Sequence, residues 1–118
     1  MFHDDRGLLQ GTLPLLILQA LGRGPAHGYG IARWIEDATG DALRVEEGSL
    51  YPALHRMARK GWIESEWGVS ENNRRAKFYH LSAQGHRQLD EQTRGWNRAV
   101  EIIGRAIAAS PRTDPEKA

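Results

Sequence analysis

The chain has 118 residues, 16 Lys and Arg against 15 Asp and Glu, and no Cys, for a formal charge of +1. That length suits a single domain with a modest core, which self-association would help to stabilise. The lack of cysteine excludes disulfides and thiolate metal sites and fits a reducing cytosol, and the longest apolar run, residues 13–18, falls far short of the ~20 needed to span a bilayer. The acidic start, Met1 to Arg6, has no signal-peptide layout, so a cytoplasmic chain with no membrane partner is expected.

A first helix is predicted over about residues 12–21, with Thr12 as N-cap and Pro14 tolerated in the first turn. An earlier start near Arg6 is the alternative, with a kink at Pro14. Nearly every residue from Leu13 to Leu21 is apolar, which predicts burial on most sides. Gly22-Arg23-Gly24-Pro25 ends it. A second helix is predicted over 28–38, with Ile31, Trp34 and Ile35 at helical spacing. Gly28 and Gly30 would each weaken an isolated helix by about 1 kcal/mol, so they are read as allowing a neighbour to come close. Residues 42–46 form a short extended link.

The third helix starts near Gly48 or Ser49, because Pro52 deeper in a helix would clash with the preceding turn. Gly61 stops it. Residues 62–67 alternate as a strand does, residues 68–75 are a turn rich in Gly, Ser and Asn, and residues 76–81 return. The last helix is capped by Ser82 and runs to about Ala108. In it Leu89, Thr93, Trp96, Val100, Ile103 and Ile107 make a heptad-like seam under three heptads long. Such a seam suits a symmetry mate or the face of the first helix. Residues 109–118 are expected to be a disordered tail. The predicted class is mainly α with a small β-hairpin: a winged helix-turn-helix over residues 8–81, then a long C-terminal dimerisation helix over 82–108.

At about 100° per residue, Leu50, Ala53, Leu54 and Met57 share the core face of the third helix. Gly48, Pro52, His55 and Arg59 lie opposite, flanked by Tyr51 and Arg56. Gly48 and Pro52 let the helix start approach DNA, where its dipole favours phosphate. Arg56 and Arg59 suit phosphate or guanine. Tyr51 offers an O–H to phosphate and a ring to a thymine methyl. Positive charge gathers at Arg56, Arg59 and Lys60 and again at Arg74, Arg75 and Lys77, beside Asn73 in the turn, with no acid in either cluster. A solvated helix face would explain the first cluster alone. Two basic clusters placed around one fold favour a DNA reader.

Gly11-Thr12-Leu13, Leu16-Ile17-Leu18, His27-Gly28-Tyr29-Gly30-Ile31, Gly48-Ser49-Leu50-Tyr51-Pro52-Ala53-Leu54, Gly61-Trp62-Ile63, Trp67, Arg75-Ala76-Lys77-Phe78-Tyr79 and Leu81-Ser82-Ala83-Gln84-Gly85 occur in the order and spacing of a known family. Over residues 8–107 the chain resembles the PadR family of bacterial transcriptional regulators, in its compact form with one C-terminal helix. The resemblance implies a homodimeric repressor that reads an inverted repeat of double-stranded DNA. It implies Ser49, Tyr51 and Pro52 at the DNA surface, and Arg74 and Arg75 on the backbone or in the minor groove. It also implies a dimer interface made by the last helix (Leu89, Trp96, Val100, Ile103, Ile107) with the first (Leu16). Two departures stand out: Gly30 replaces the family's acid after Gly-Tyr, and Glu46-Glu47 replace the Lys that often precedes the third helix.

Of the four Trp, Trp34 and Trp62 are expected at the core or its edge, and Trp67 under the hairpin. Trp96 lies on the seam. In some compact PadR regulators a Trp here faces its mate across a pore and stacks on flat aromatic drugs, which implies Trp96 as the ligand-binding residue for a planar aromatic effector; ordinary interface packing is the alternative. The histidines show no metal-ligand spacing, no nucleophile elbow or phosphate loop occurs, and neither a cofactor nor catalysis is expected. His27 reads as a cap or packing residue. Two rival readings are a winged-helix module that docks protein, and a dimer that sequesters ligand.

Overall fold

The computed structural model describes residues 4–110. Its first helix, α1 (Asp5–Leu21), starts well ahead of Thr12, which is not the cap. Asp4 is: its carboxylate accepts the Gly7 N–H at 2.8 Å. Thr12 is instead buried inside the helix and its hydroxyl donates to the Leu8 carbonyl at 2.6 Å. Pro14 sits in the interior without the N–H that would have met the Gln10 carbonyl. Burial of Leu9, Leu13, Ile17, Leu18 and Leu21 carries the helix through it.

The second helix, α2 (Gly28–Ala38), matches its predicted span. His27 caps it, Nδ1 accepting the Gly30 N–H at 3.0 Å. The two residues before it form an unforeseen strand, β1 (Ala26–His27). The link that follows α2 is pinned, with Leu43 and Val45 buried and the Glu36 carboxylate accepting the Val45 N–H at 3.0 Å. This fixes the start of α3 (Glu47–Arg59), one residue ahead of Gly48. Pro52 therefore lies in the second turn rather than the first. Leu50, Ala53, Leu54 and Met57 are buried, as the helical phase requires.

The hairpin strands are β2 (Ile63–Val69) and β3 (Arg75–Leu81), each longer at the turn end than the alternation suggests. They run antiparallel from Ile63↔Leu81 to Val69↔Arg75. β1 pairs with the far edge of β3, giving a three-stranded sheet in the order β1-β3-β2. The last helix, α4 (Ala83–Ala109), takes in Ala109, the first residue of the expected tail. Residues 111–118 lie outside the described part. Ser82 caps α4 by accepting the Gly85 N–H at 3.1 Å, and its hydroxyl donates to the Gly61 carbonyl at 2.5 Å.

The core joins α1, α2 and α3 through Ile17, Leu18, Ile31, Ile35, Leu54 and Met57, all at most 2 % exposed, and the sheet adds Ile63, Tyr79 and Leu81. Only the first half of α4 touches it: Leu89 packs on the core, and the Gln19 amide donates to the Thr93 hydroxyl at 2.7 Å. From Arg94 onward α4 is exposed, and the described chain measures 63 × 27 × 21 Å. Among the described residues no helix is long and apolar enough to cross a membrane.

Candidate nucleic-acid interface

Because Leu50, Ala53, Leu54 and Met57 face inward, Gly48, Ser49, Tyr51, Pro52, His55, Arg56 and Arg59 are all exposed on α3. They divide between two sides. Tyr51 faces a cleft shared with the wing. Ser49, Pro52 and Arg56 line a second hollow, with Arg6 and Gln10 of α1 and Arg44 of the link. His55 and Arg59 lie on neither wall. The residues foreseen on one reading face are thus brought together on α3 but divide, with Tyr51 toward the wing and Arg56 toward α1.

The wing turn is built by its backbone. The Ser70 N–H donates to the Arg74 carbonyl at 2.8 Å and the Asn73 N–H to the Ser70 carbonyl at 2.9 Å. Asn73 has φ 57°, a left-handed conformation that Asn tolerates better than most residues. Its identity is therefore explained by the turn. Beyond the turn the strand phase puts Trp67 and Val69 of β2 on the same face as Arg75, Lys77 and Tyr79 of β3.

Trp67 does not pack under the hairpin as expected. It is 59 % exposed, and the Arg75 guanidinium sits over its ring, 4.6 Å from the centroid. The contact is a cation–π pair, so the indole orients Arg75 rather than filling a core.

Opposite the wing face stand His27, Tyr29 and Tyr51. The Tyr51 phenol rests on Gly28, where an added Cβ would lie 2.6 Å from the hydroxyl oxygen. His27 packs edge-on against Phe78 with ring centroids 5.3 Å apart, tying the start of α2 to the wing. Tyr79 forms the floor, and burial, with Tyr51 nearby, raises its pKa above the ordinary 10.0. The sequence reading missed His27, Tyr29 and Trp67 as part of this surface. His27 and Tyr29 carried a local signal, flanking Gly28 at the start of α2, whereas Trp67 joins them only through its pairing with Lys77 in the sheet.

On α4, Trp96 is 39 % exposed and lines a groove with Gly11, Thr12, Pro14, Leu15 and Trp62. Lys60 lines the same groove, its ammonium 4.6 Å from the Trp62 ring centroid, so it turns away from the other basic residues of α3. Leu16 and Leu89, foreseen at a dimer interface, are half-buried against the chain's own core, whereas Val100, Ile103 and Ile107 are exposed. Trp34 and Trp62 sit at the core edge as expected. Among the described residues no three His, Asp or Glu gather as a metal site.

Known proteins share both the sequence and the fold. A PadR-like transcriptional regulator from Bacillus cereus superposes with a TM-score of 0.76 at 26 % identity, covering 88 % of this chain and 99 % of that one. A PadR family transcriptional regulator from Eggerthella lenta superposes at 0.74 and 29 % identity, covering 88 % of each chain. Transcriptional regulator YqjI of Escherichia coli is 29 % identical over 107 residues, which span 90 % of this chain and half of YqjI. Residues 17–91 match the transcriptional regulator PadR-like family, and the chain belongs to that family.

Proposed function

We propose that the chain is a homodimeric transcriptional repressor in the cytoplasm that reads an inverted repeat with α3 and the wing, and that a flat aromatic effector at Trp96 relieves it. The observation that carries the DNA reading is the shared cleft: Tyr51 of α3 and Arg74, Arg75 and Lys77 of the wing line one surface, and α3 also leaves Arg56 and Arg59 exposed. A protruding helix flanked by a basic hairpin fits a major groove with an adjacent phosphate backbone. Family membership supports the regulatory role. The exposed apolar half of α4 supports pairing of two copies, which would set half-sites about 10 bp apart.

Selection of bound duplexes from a random pool, followed by anisotropy titration at low salt, tests this reading. The selected sites should be palindromic, and sedimentation should give two chains per duplex. A chain that stays monomeric, or enriches no duplex over the starting pool, overturns it. The effector is tested by titrating flat dyes: quenching of Trp fluorescence should vanish in Trp96→Ala, and equal quenching in that variant rejects the assignment.

A further inference from the structure

The hollow on the α1 side of α3 is lined by three arginines, Arg6, Arg44 and Arg56, and by two acids, Asp5 and Glu46. Arg44 alone of the three lies outside a helix, and the fold fixes its backbone by other means. Gly40 and Asp41 take left-handed φ values of 59° and 63° and turn the chain out of α2. The link is then tied back to that helix. The Asp41 N–H donates to the Glu36 carbonyl at 2.8 Å, the Leu43 N–H to the Thr39 hydroxyl at 3.2 Å and the Val45 N–H to the Glu36 carboxylate at 3.0 Å. Leu43 and Val45 are buried. Side chains alternate along extended chain, so burying these two sends Arg44 outward.

Arg44 is 73 % exposed, and its Nε lies 3.9 Å from the same Glu36 oxygen that accepts the Val45 N–H. So exposed a pair adds little to stability, and Glu36 already holds the link through Val45. Anchoring the link therefore does not account for an arginine at this position. An arginine engaged through Nε keeps the donors of its terminal nitrogens. Ser49, Pro52 and Arg56, on one flank of α3, share the hollow with it. On the other flank Tyr51 shares its cleft with the wing, where Trp67 orients Arg75. The third helix thus has an oriented arginine on either side, Arg75 against an indole and Arg44 against a carboxylate.

We propose that Arg44 is a second phosphate anchor, positioned by Glu36, that takes the DNA backbone on the α1 side of α3 while Arg75 takes it on the wing side. A helix seated in a major groove has a sugar–phosphate strand along each wall, and contacts to both fix its register without reading sequence. Three arginines against two acids give the hollow no broad positive field. The contact is local, through a guanidinium placed in advance, which lowers the ordering cost of binding. The inference rests on the DNA-reading function.

Anisotropy titration of the full chain with the selected duplex and with a random one, over a range of salt, tests the anchor. Arg44→Gln should weaken both duplexes by the same factor, about tenfold, with a melting temperature near the parent's. It should lower the slope of log affinity against log salt by about 0.9 per chain. Arg33→Gln removes another exposed, acid-paired arginine, from α2 and outside the hollow, and should leave the slope unchanged. Neutral methylphosphonates placed one at a time in the selected duplex locate the contact. Arg44→Gln should become insensitive to them along one wall of the groove, and Arg75→Gln along the other. Glu36→Gln keeps an acceptor for the Val45 N–H and should blunt only the sensitivity assigned to Arg44. An unchanged slope in Arg44→Gln, an equal fall in Arg33→Gln, or the same phosphates silenced by Arg44→Gln and Arg75→Gln overturns the anchor. Full sensitivity in Glu36→Gln overturns the positioning role of Glu36. A parent that binds no duplex defeats the DNA reading and the anchor with it. A parent that binds, with a slope that falls in Arg75→Gln but not in Arg44→Gln, defeats the anchor alone.

Discussion

The phenol of Tyr51 lies against the backbone of Gly28: a Cβ added at Gly28 would sit 2.6 Å from the Tyr51 oxygen and 3.0 Å from Cζ. The second helix thereby sets the height at which the third helix presents its one exposed aromatic. Nothing in the backbone at Gly28 demands glycine, since its φ is not positive; the constraint is the neighbour.

Gly28→Ala should therefore leave the fold standing and displace the phenol. Alanine also favours a helix over glycine by up to about 1 kcal/mol, which offsets the local crowding. The expected outcome is a melting temperature close to that of the parent with duplex affinity reduced about tenfold, roughly one lost hydrogen bond to a charged group. Anisotropy titration beside a thermal melt checks both halves.

Arg74 and Arg75 differ in how they are held. Arg75 is stacked on Trp67, while Arg74 is fixed through its backbone in the turn. Replacing both with Gln should lower the slope of log affinity against log salt by about 2, at about 0.9 for each phosphate no longer neutralised. Trp67→Ala should lower it by roughly 1, because Arg75 loses the ring that orients it. Titrations between about 50 and 200 mM salt read the slope; an unchanged slope in the double variant would place the wing off the phosphates.

Much of this surface was legible in the sequence, and the reasons are physical. The core face of α3 followed from helical phase alone, and Leu50, Ala53, Leu54 and Met57 are all buried. Ser82 announced α4 because an N-cap is a local hydrogen bond. His27 as a cap was equally local. The start of α1 was open between Thr12 and Arg6 because Pro14 looks like a first-turn residue, and tertiary burial of Leu9 and Leu13 decides for the earlier one by carrying the helix past it. β1 was hidden because two residues have no period, and their partner, β3, lies far along the chain. Trp67 was misplaced for a related reason. Strand alternation fixes its face, but not that Arg75 covers the ring while the face opens on a cleft.

The joint between wing and α4 has no slack. A Cβ at Gly85 would overlap the Trp62 carbonyl oxygen, which already accepts the Ser82 N–H at 3.0 Å. Both partners there are main chain, so neither can move alone. Gly85→Ala should cost about 3 kcal/mol, the upper end for overpacking, read as a lower urea midpoint with an unchanged slope.

Tyr79 sets a limit on alkaline stability. Its pKa is raised above 10.0, first by burial and then by Tyr51. The folded chain thus binds this proton more tightly than the unfolded chain does. That component of stability is intact below about pH 10 and lost as pH climbs through the folded value. Tyr79→Phe has no such proton. Denaturant melts from about pH 8 to 11 should show the parent falling relative to the variant only above about 10.

The outer half of α4 makes the remaining prediction. Val100 is 54 %, Ile103 57 % and Ile107 71 % exposed along one stripe, with Ile102 beside them at 47 %. Single exposed apolar residues are ordinary, but four within eight positions of one helix form a patch, which supports the proposed pairing of two copies. The inner part of the seam is occupied within the chain: Leu89 packs on the core and Thr93 bonds Gln19. In the proposed dimer a second copy would cover the segment from Trp96 to Ile107. Glutamate at Ile103 would place two charges in that interface, one per chain, near the pseudo-heptad centre. Ile103→Glu should sediment as a single chain at concentrations where the parent is the proposed dimer, with its helical circular dichroism largely kept because Ile103 is exposed and takes no part in the chain's own core. Its affinity for a palindromic duplex should fall at least about a hundredfold, while that for an isolated half-site stays near the parent's, since two reading heads no longer share one complex.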